Sequence, residues 1–242
     1  MEVAMASDEK KRQVMRAIIQ SGGIEIRDVD GGEEPFVYSS KNRGPGYVDI
    51  KGRVGFNKVF DPMVDLLADT LVADKVDFDM IVGMMTGGAL PGYRLKQLIQ
   101  EHIGRPIVYV YQRGARKVGG HGELDTGDRN NPDVVPGIRT LVVEELVNFA
   151  VTTCNGVAYE RGLGRTVTDA ACILCYENPV AIQRLRENHI ELHYPISLPE
   201  ILHFGGQEHL LQSQAVDSYM QFLEDPRAWN ESRGFQFYAA GE

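Results

Sequence analysis

One stretch constrains this chain more than any other. Thr140-Leu141-Val142-Val143 is an apolar, β-branched run that ends in adjacent carboxylates, Glu144 and Glu145. Such a run reads as a buried strand of a parallel sheet. Parallel strands need crossover connections, usually helices, so the run implies an α/β fold. After it come a turn at Asn148-Phe149-Ala150-Val151, two threonines, Thr152 and Thr153, and a helix-like segment. In open α/β sheets ligands sit outside the carboxyl ends of the strands. Glu144 and Glu145 therefore stand where ligands bind, on opposite faces of the strand, and are not expected to act as a dyad. The turn would aim amides and hydroxyls at an anion at the next helix's amino end. The bland reading, a core strand ending in two solvated glutamates, fits the pattern equally well.

Composition narrows the class. The 242 residues are 43% hydrophobic and 24% charged, enough for a sizeable core. A net charge of -9 argues against general nucleic-acid binding, which wants a basic face. No apolar run reaches the ~20 residues of a membrane span. Met1 to Arg12 lacks a signal peptide's apolar core, so no membrane partner and a cytoplasmic location are expected. The three cysteines fit a reducing compartment. Cys172 and Cys175 lie in an apolar run without a second pair, and read as core thiols rather than zinc ligands.

Along the chain, Ser7-Asp8-Glu9 signals a helix start and Gly22-Gly23 its stop. Phe36 to Tyr38 and Tyr47 to Lys51 read as short strands of a hairpin-like cap. Lys41, Arg43, Lys51 and Arg53 make that cap basic: a protected sheet edge, or a surface for an anionic substrate. Asp61-Pro62 predicts an N-cap and first helical position. Asp79 to Met84 reads as a central strand running into Thr86-Gly87-Gly88 and a helix from about Leu90. Strand, glycine turn, helix is a natural anion cradle, although a Gly-Gly turn by itself is most often just a tight βα connection, and neither the P-loop nor the dinucleotide fingerprint is present. Pro106 to Tyr111 is the next strand. The long segment Arg113 to Pro136 follows, with Arg113, Lys117 and His121 among glycines, as a lid over phosphates would have. Strands at 171–175 and 190–193, helices at 179–188 and from Ser197, and an amphipathic tail at 207–223 complete the pattern. Trp229 and the aromatics Phe235, Phe237 and Tyr238 need a surface to dock on.

Taken in order, these segments resemble the type I phosphoribosyltransferases, most closely the orotate phosphoribosyltransferases. Tyr47 to Lys51 is similar to the family's hood strand, and Thr86 to Gly92 to its diphosphate loop. Arg113 to Gly122 resembles the mobile catalytic loop. Glu144 to Thr153 is similar to the loop for phosphoribosyl diphosphate (PRPP), with Ala150-Val151 where the family carries glycines. Cys175-Tyr176-Glu177 stands where orotate enzymes carry an Asp-Arg pair whose arginine contacts the base.

The resemblance implies a mainly parallel sheet flanked by helices, with an N-terminal hood (1–55), a core (56–204) and a helical extension (205–242). It implies transfer of ribose 5-phosphate from PRPP to a nucleobase, orotate or a related base, with Mg²⁺ as cofactor. Lys117, His121 and Arg113 would be catalytic. Glu144, Glu145, Asn148, Ala150, Thr152, Thr86, Gly87 and Gly88 would bind PRPP. A homodimer sharing its lids is also implied. A weakly catalytic homologue that senses PRPP or a nucleotide is the alternative.

Overall fold

The computed structural model describes residues 2–38, 40–114, 124–128 and 130–238, with side chains from Asp8 onward. Helix α1 (Glu2–Gln20) precedes four short strands, β1 (Ile24–Ile26), β2 (Phe36–Val37), β3 (Arg43–Gly44) and β4 (Gly46–Val48). A 3-10 turn, Lys51–Gly55, leads to α2 (Asn57–Ala73), β5 (Met80–Met84), α3 (Ala89–Ile103), β6 (Val108–Gln112) and β7 (Asp125–Thr126). Then come β8 (Arg139–Val147), α4 (Val151–Gly162), β9 (Thr166–Cys175), α5 (Pro179–Glu187), β10 (Glu191–His193) and β11 (Ile196–Ser197). Helices α6 (Leu198–Gln207), α7 (Ser213–Glu224) and α8 (Pro226–Ser232) close the described chain. These elements form two compact units, residues 54–198 and residues 1–53 with 199–242.

The first unit is built on a sheet ordered β10-β9-β8-β5-β6-β7, with β11 also paired to β9. Every pairing is parallel except β6 with β7. Burial follows from helices on the crossovers: all of β5 is buried, and Leu141, Val142 and Val143 are 0% exposed. Gly83 of β5 is in register with Val143 of β8. Strand β5 consequently ends against the middle of the acidic stretch, one residue beyond this pair, while β8 runs on to Val147.

Helix α2 starts at Asn57, so Pro62 lies inside it and Asp61 is not its N-cap. Proline removes one helical hydrogen bond but keeps helical φ. Val59 and Met63, one on each side of it, are buried and hold the extra turn in place. Strand β8 runs three residues past the acidic pair's first member, to Val147, so the glutamates lie within the strand rather than beyond it. Strand β9 begins earlier than the apolar run suggests, at Thr166, because its first residues pair with β8 while their side chains alternate to solvent. The long segment after β6 contains β7, an edge strand too short to show a pattern. Cys154, Cys172 and Cys175 are buried free thiols.

In the second unit, β1 pairs antiparallel with β4, and β2 with β3. The strands read at 36–38 and 47–51 thus do not pair with each other: each takes a partner of two or three residues, too short to register as a pattern. Helix α1 begins at Glu2 rather than Ser7. The tail breaks after Gln207, where Leu210 N–H and Leu211 N–H both bond Gly205 O, and helix resumes at Ser213. Trp229 is 2% exposed; its Nε1–H donates to Ser218 Oγ at 3.0 Å, and Phe222 meets it edge-on at 5.4 Å. Asn230, 0% exposed, donates to Arg43 O at 2.9 Å and accepts from Arg43 N–H at 3.3 Å. Two of the basic cap residues have partners in this unit: Arg43 lies over Phe235, and Arg53 bonds Asp49. A cavity of about 480 Å³ is lined by apolar side chains, among them Ile19, Ile24 and Phe36, and by Glu25, Arg27 and Glu33. It carries none of the predicted site residues.

Candidate active site

The candidate site lies where β5 ends against the acidic stretch of β8 and where β8 then leads into α4. Beyond Met84 the chain turns through Met85-Thr86-Gly87-Gly88, with a cis peptide between Met85 and Thr86, and enters α3. Met85 N–H bonds Gln112 O at 2.8 Å, and Gly88 N–H bonds Met84 O at 2.8 Å. Both glycines are required by what lies against them. A Cβ on Gly87 would overlap the Glu145 carboxylate. A Cβ on Gly88 would overlap the Val143 carbonyl and stand 2.9 Å from Glu144 Cα. The glycine turn therefore rests directly on the acidic strand. Thr86 is exposed beside it.

The two glutamates have different surroundings, as alternation along a strand requires. Glu144 is 7% exposed and lies opposite Cys172 of β9. Burial, aided by the charge of Glu145, pushes its carboxyl up to about 8. Although on opposite faces, the two carboxylates are thus electrostatically linked. Glu145 is half-buried, against Gly87.

After Val147 the chain turns through Asn148 and Phe149 to Ala150. Asn148 Oδ1 accepts from Asn178 Nδ2 at 3.4 Å, and Phe149 O accepts from Arg184 Nη1. Ala150 has φ 55 and ψ 19, the left-handed region that glycine favours. For alanine this costs about 1–2 kcal/mol. The residue is 4% exposed within the core, and burial of its methyl returns about 0.8 kcal/mol. The backbone therefore keeps a glycine-like turn without glycine. Helix α4 starts at Val151 with no side-chain cap, leaving its first amides directed out of the helix end. Thr152 is exposed there and Thr153 buried. An uncapped helix amino end favours an anion.

The structure sets Gly87 and Gly88, which follow Thr86, against Glu145 and Val143 beside Glu144; Asn148, Ala150 and Thr152 follow where β8 passes into α4. Arg113 is half-buried at the end of β6, with its N–H bonded to Leu124 O at 2.9 Å. Lys117 and His121 lie outside the described residues. Glu177, at the tip of β9, accepts from Tyr194 O–H at 2.9 Å. Elsewhere, Asp169, Glu191 and His193 have the spacing to hold a metal ion. His193 Nδ1 already lies 2.8 Å from Asp74 Oδ2 and Nε2 2.9 Å from Asp169 Oδ1, which describes an ion-paired imidazolium. No helix among the described residues is long and apolar enough to cross a membrane.

No protein-family model matches the chain. It is 25% identical over 236 residues to the orotate phosphoribosyltransferase of Ruegeria sp. (strain TM1040), covering 94% of this chain and 95% of that protein. The Streptococcus gordonii orotate phosphoribosyltransferase is 24% identical over 198 residues, covering 82% and 90%. Among solved structures, the Leishmania donovani UMP synthase superposes with a TM-score of 0.69 at 15% identity, covering 88% of this chain and 42% of that one. The Aeropyrum pernix orotate phosphoribosyltransferase superposes at 0.62 with 22% identity, covering 80% and 98%. The Mycobacterium tuberculosis enzyme in complex with PRPP does so at 0.58 with 16% identity, covering 79% and 98%. The chain has the type I phosphoribosyltransferase fold, and the relatives it is similar to are orotate phosphoribosyltransferases.

Proposed function

We propose that this chain transfers ribose 5-phosphate from PRPP to a nucleobase, orotate or a related base, and releases diphosphate. One observation supports the reading: the glycine turn that leaves β5 rests on the acidic residues of the neighbouring strand β8, which runs on into an uncapped helix end. Glu144 and Glu145 accept hydrogen bonds from the ribose hydroxyls and place the reacting carbon. The amides after Ala150 and the Thr152 hydroxyl receive the 5-phosphate. Thr86, Gly87 and Gly88 cradle the diphosphate. Arg113, Lys117 and His121 neutralise the leaving group as an oxocarbenium-like centre develops. Closing the segment over the site excludes water and suppresses hydrolysis.

Mg²⁺ fits this donor set, because it is usually held by one or two carboxylates together with substrate phosphates. A buried carboxylate beside a second one, with its proton affinity raised, is also what a cation would relieve. When bound, the ion neutralises diphosphate charge. A cytoplasmic homodimer, each subunit lending its segment to the other, belongs to the same proposal.

A second reading, a homologue that binds PRPP without efficient turnover, draws on Ala150-Val151 in place of glycines and on exposed Phe149 beside them. The glycine-like φ of Ala150 favours catalysis. Incubation with PRPP, Mg²⁺ and a panel of bases, following diphosphate release, separates the two. Release with orotate or a related base is expected. PRPP binding without release for every base supports the second reading. Unchanged PRPP affinity in a Glu144→Ala, Glu145→Ala variant refutes both.

A further inference from the structure

The structure buries a polar cluster that, among the described residues, touches none of the groups assigned to substrate. Arg165, with 4% of its side chain exposed, donates to Asp125 Oδ2 at 2.7 Å, to Asp128 Oδ2 at 2.9 Å and to Glu160. Glu160, 0% exposed, also accepts from Gln112 Nε2 at 2.7 Å. Among the described residues, the charged groups facing one another are three carboxylates and one guanidinium. Burial outweighs Arg165 and pushes the Glu160 and Asp125 carboxyls up. Even a balanced buried ion pair stabilises no better than well-packed apolar side chains. This unbalanced cluster is therefore poorly explained as a source of stability.

Its geometry suggests a different use. Gln112 is the last residue of β6 and Asp125 the first of β7, and the two are direct partners across those strands. They flank residues 113–124 on either side, and Asp128 follows in the next turn. Glu160 belongs to α4, and Arg165 leads from α4 into β9. The Gln112 carbonyl also accepts the Met85 N–H at the start of the glycine turn. Helix α4 lies close here, since a Cβ on Gly156 would stand 3.1 Å from Gln112 Oε1. One buried cluster thus ties both roots of the segment to the helix whose amino end lies in the site.

We propose that Glu160 and Arg165 are positioning residues for the transfer reaction, holding both roots of segment 113–124, through Gln112, Asp125 and Asp128, in fixed relation to helix α4. The inference rests on the phosphoribosyl-transfer reading. The positioning matters because Arg113 leaves the sheet at one of those roots, and misplacement of about 1 Å costs up to ~100-fold in rate.

The test uses the full chain with Asp128→Asn, Gln112→Ala, Arg165→Met and the conservative Arg165→Lys. Diphosphate release is measured against PRPP concentration, ribose 5-phosphate affinity by calorimetry, and folding by thermal melts. The expected result is a kcat loss of about 10-fold or more in Arg165→Met. A smaller loss is expected in Asp128→Asn, partial recovery in Arg165→Lys, and unchanged ribose 5-phosphate affinity in all. If Arg165→Met does not fold, Asp128→Asn and Gln112→Ala decide, because each leaves the Glu160–Arg165 pair in place. Lower melting temperatures with wild-type kcat overturn the inference, as does a kcat loss matched by an equal loss of ribose 5-phosphate affinity. Either result leaves the phosphoribosyl-transfer reading standing. Absence of diphosphate release by the wild type with every base overturns that reading, and this inference with it.

Discussion

The change Glu144→Gln isolates the consequence of burying a carboxylate at the centre of the site. Glu144 is 7% exposed, and its carboxyl is raised from 4.5 to about 8, by burial first and by Glu145 second. At about 1.4 kcal/mol for each tenfold change in proton affinity, ionising it costs the fold up to ~5 kcal/mol. Relaxation around a buried charge reduces this to the order of 2–5 kcal/mol. The sign follows from the folded chain holding the proton more tightly than the unfolded one. The Glu144 contribution to wild-type stability is full below pH 4.5, falls as the pH rises towards about 8, and levels off beyond. Glutamine has no such proton to lose. Urea unfolding across pH 5 to 9 should show the variant more stable than wild type by several kcal/mol at pH 9 and nearly equal to it at pH 5. Ribose hydroxyls favour the charged carboxylate. PRPP binding near pH 7 should therefore release up to one more proton from wild type than from the variant, as read by calorimetry in buffers of different ionisation enthalpy. Parallel stability profiles, together with equal proton release, would refute the assignment of a strained, ligand-ready carboxylate to Glu144.

Gly88→Ala forces a Cβ into the Val143 carbonyl, which cannot yield, whereas Gly87→Ala meets the end of the Glu145 side chain. Gly88→Ala should cost about 1–3 kcal/mol in a denaturant melt and abolish PRPP binding, and Gly87→Ala should chiefly raise the KM for PRPP. Burial opposes the charge on His193, but its bonds to Asp74 and Asp169 prevail and raise its pKa. Its contribution is therefore full below pH 6.5 and lost as the pH climbs through the raised value. A His193→Gln variant should differ most from wild type in melts at pH 5 to 6 and converge with it in alkali. At the tip of β9, Glu177→Gln removes a carboxylate that would repel an anionic base, and should raise kcat/KM for orotate about 10-fold relative to neutral bases, equivalent to about 1.4 kcal/mol.

Much of the fold could be read along the chain, because its signals are local. The run into Glu144 and Glu145 marked a buried strand, since β-branched side chains without alternation need cover on both faces. The glycines after Met84 marked a turn. Both had a single interpretation at the scale of ten residues. Helix α2 misled for the same reason: Asp61-Pro62 is a good local start, and only the buried positions of Val59 and Met63 extend the helix to Asn57. Strands β1, β3 and β7 run for two or three residues, too short for any periodicity to appear.

By itself the sequence determined which residues could do chemistry: an acidic pair ending an apolar run, a Gly-Gly turn, and a stretch of hydroxyls and amides before a helix. The tertiary structure decided their relations. Register between β5 and β8 set Gly87 and Gly88 against Glu145 and Val143, residues more than fifty positions away. It also drew Gln112, Asp125, Glu160 and Arg165 into one buried cluster that no local pattern announces. Proton affinity, left-handed backbone and charge balance arise from what surrounds a group in space. For Glu144 and Ala150, those surroundings come from strands and helices that the chain assembles only when it folds.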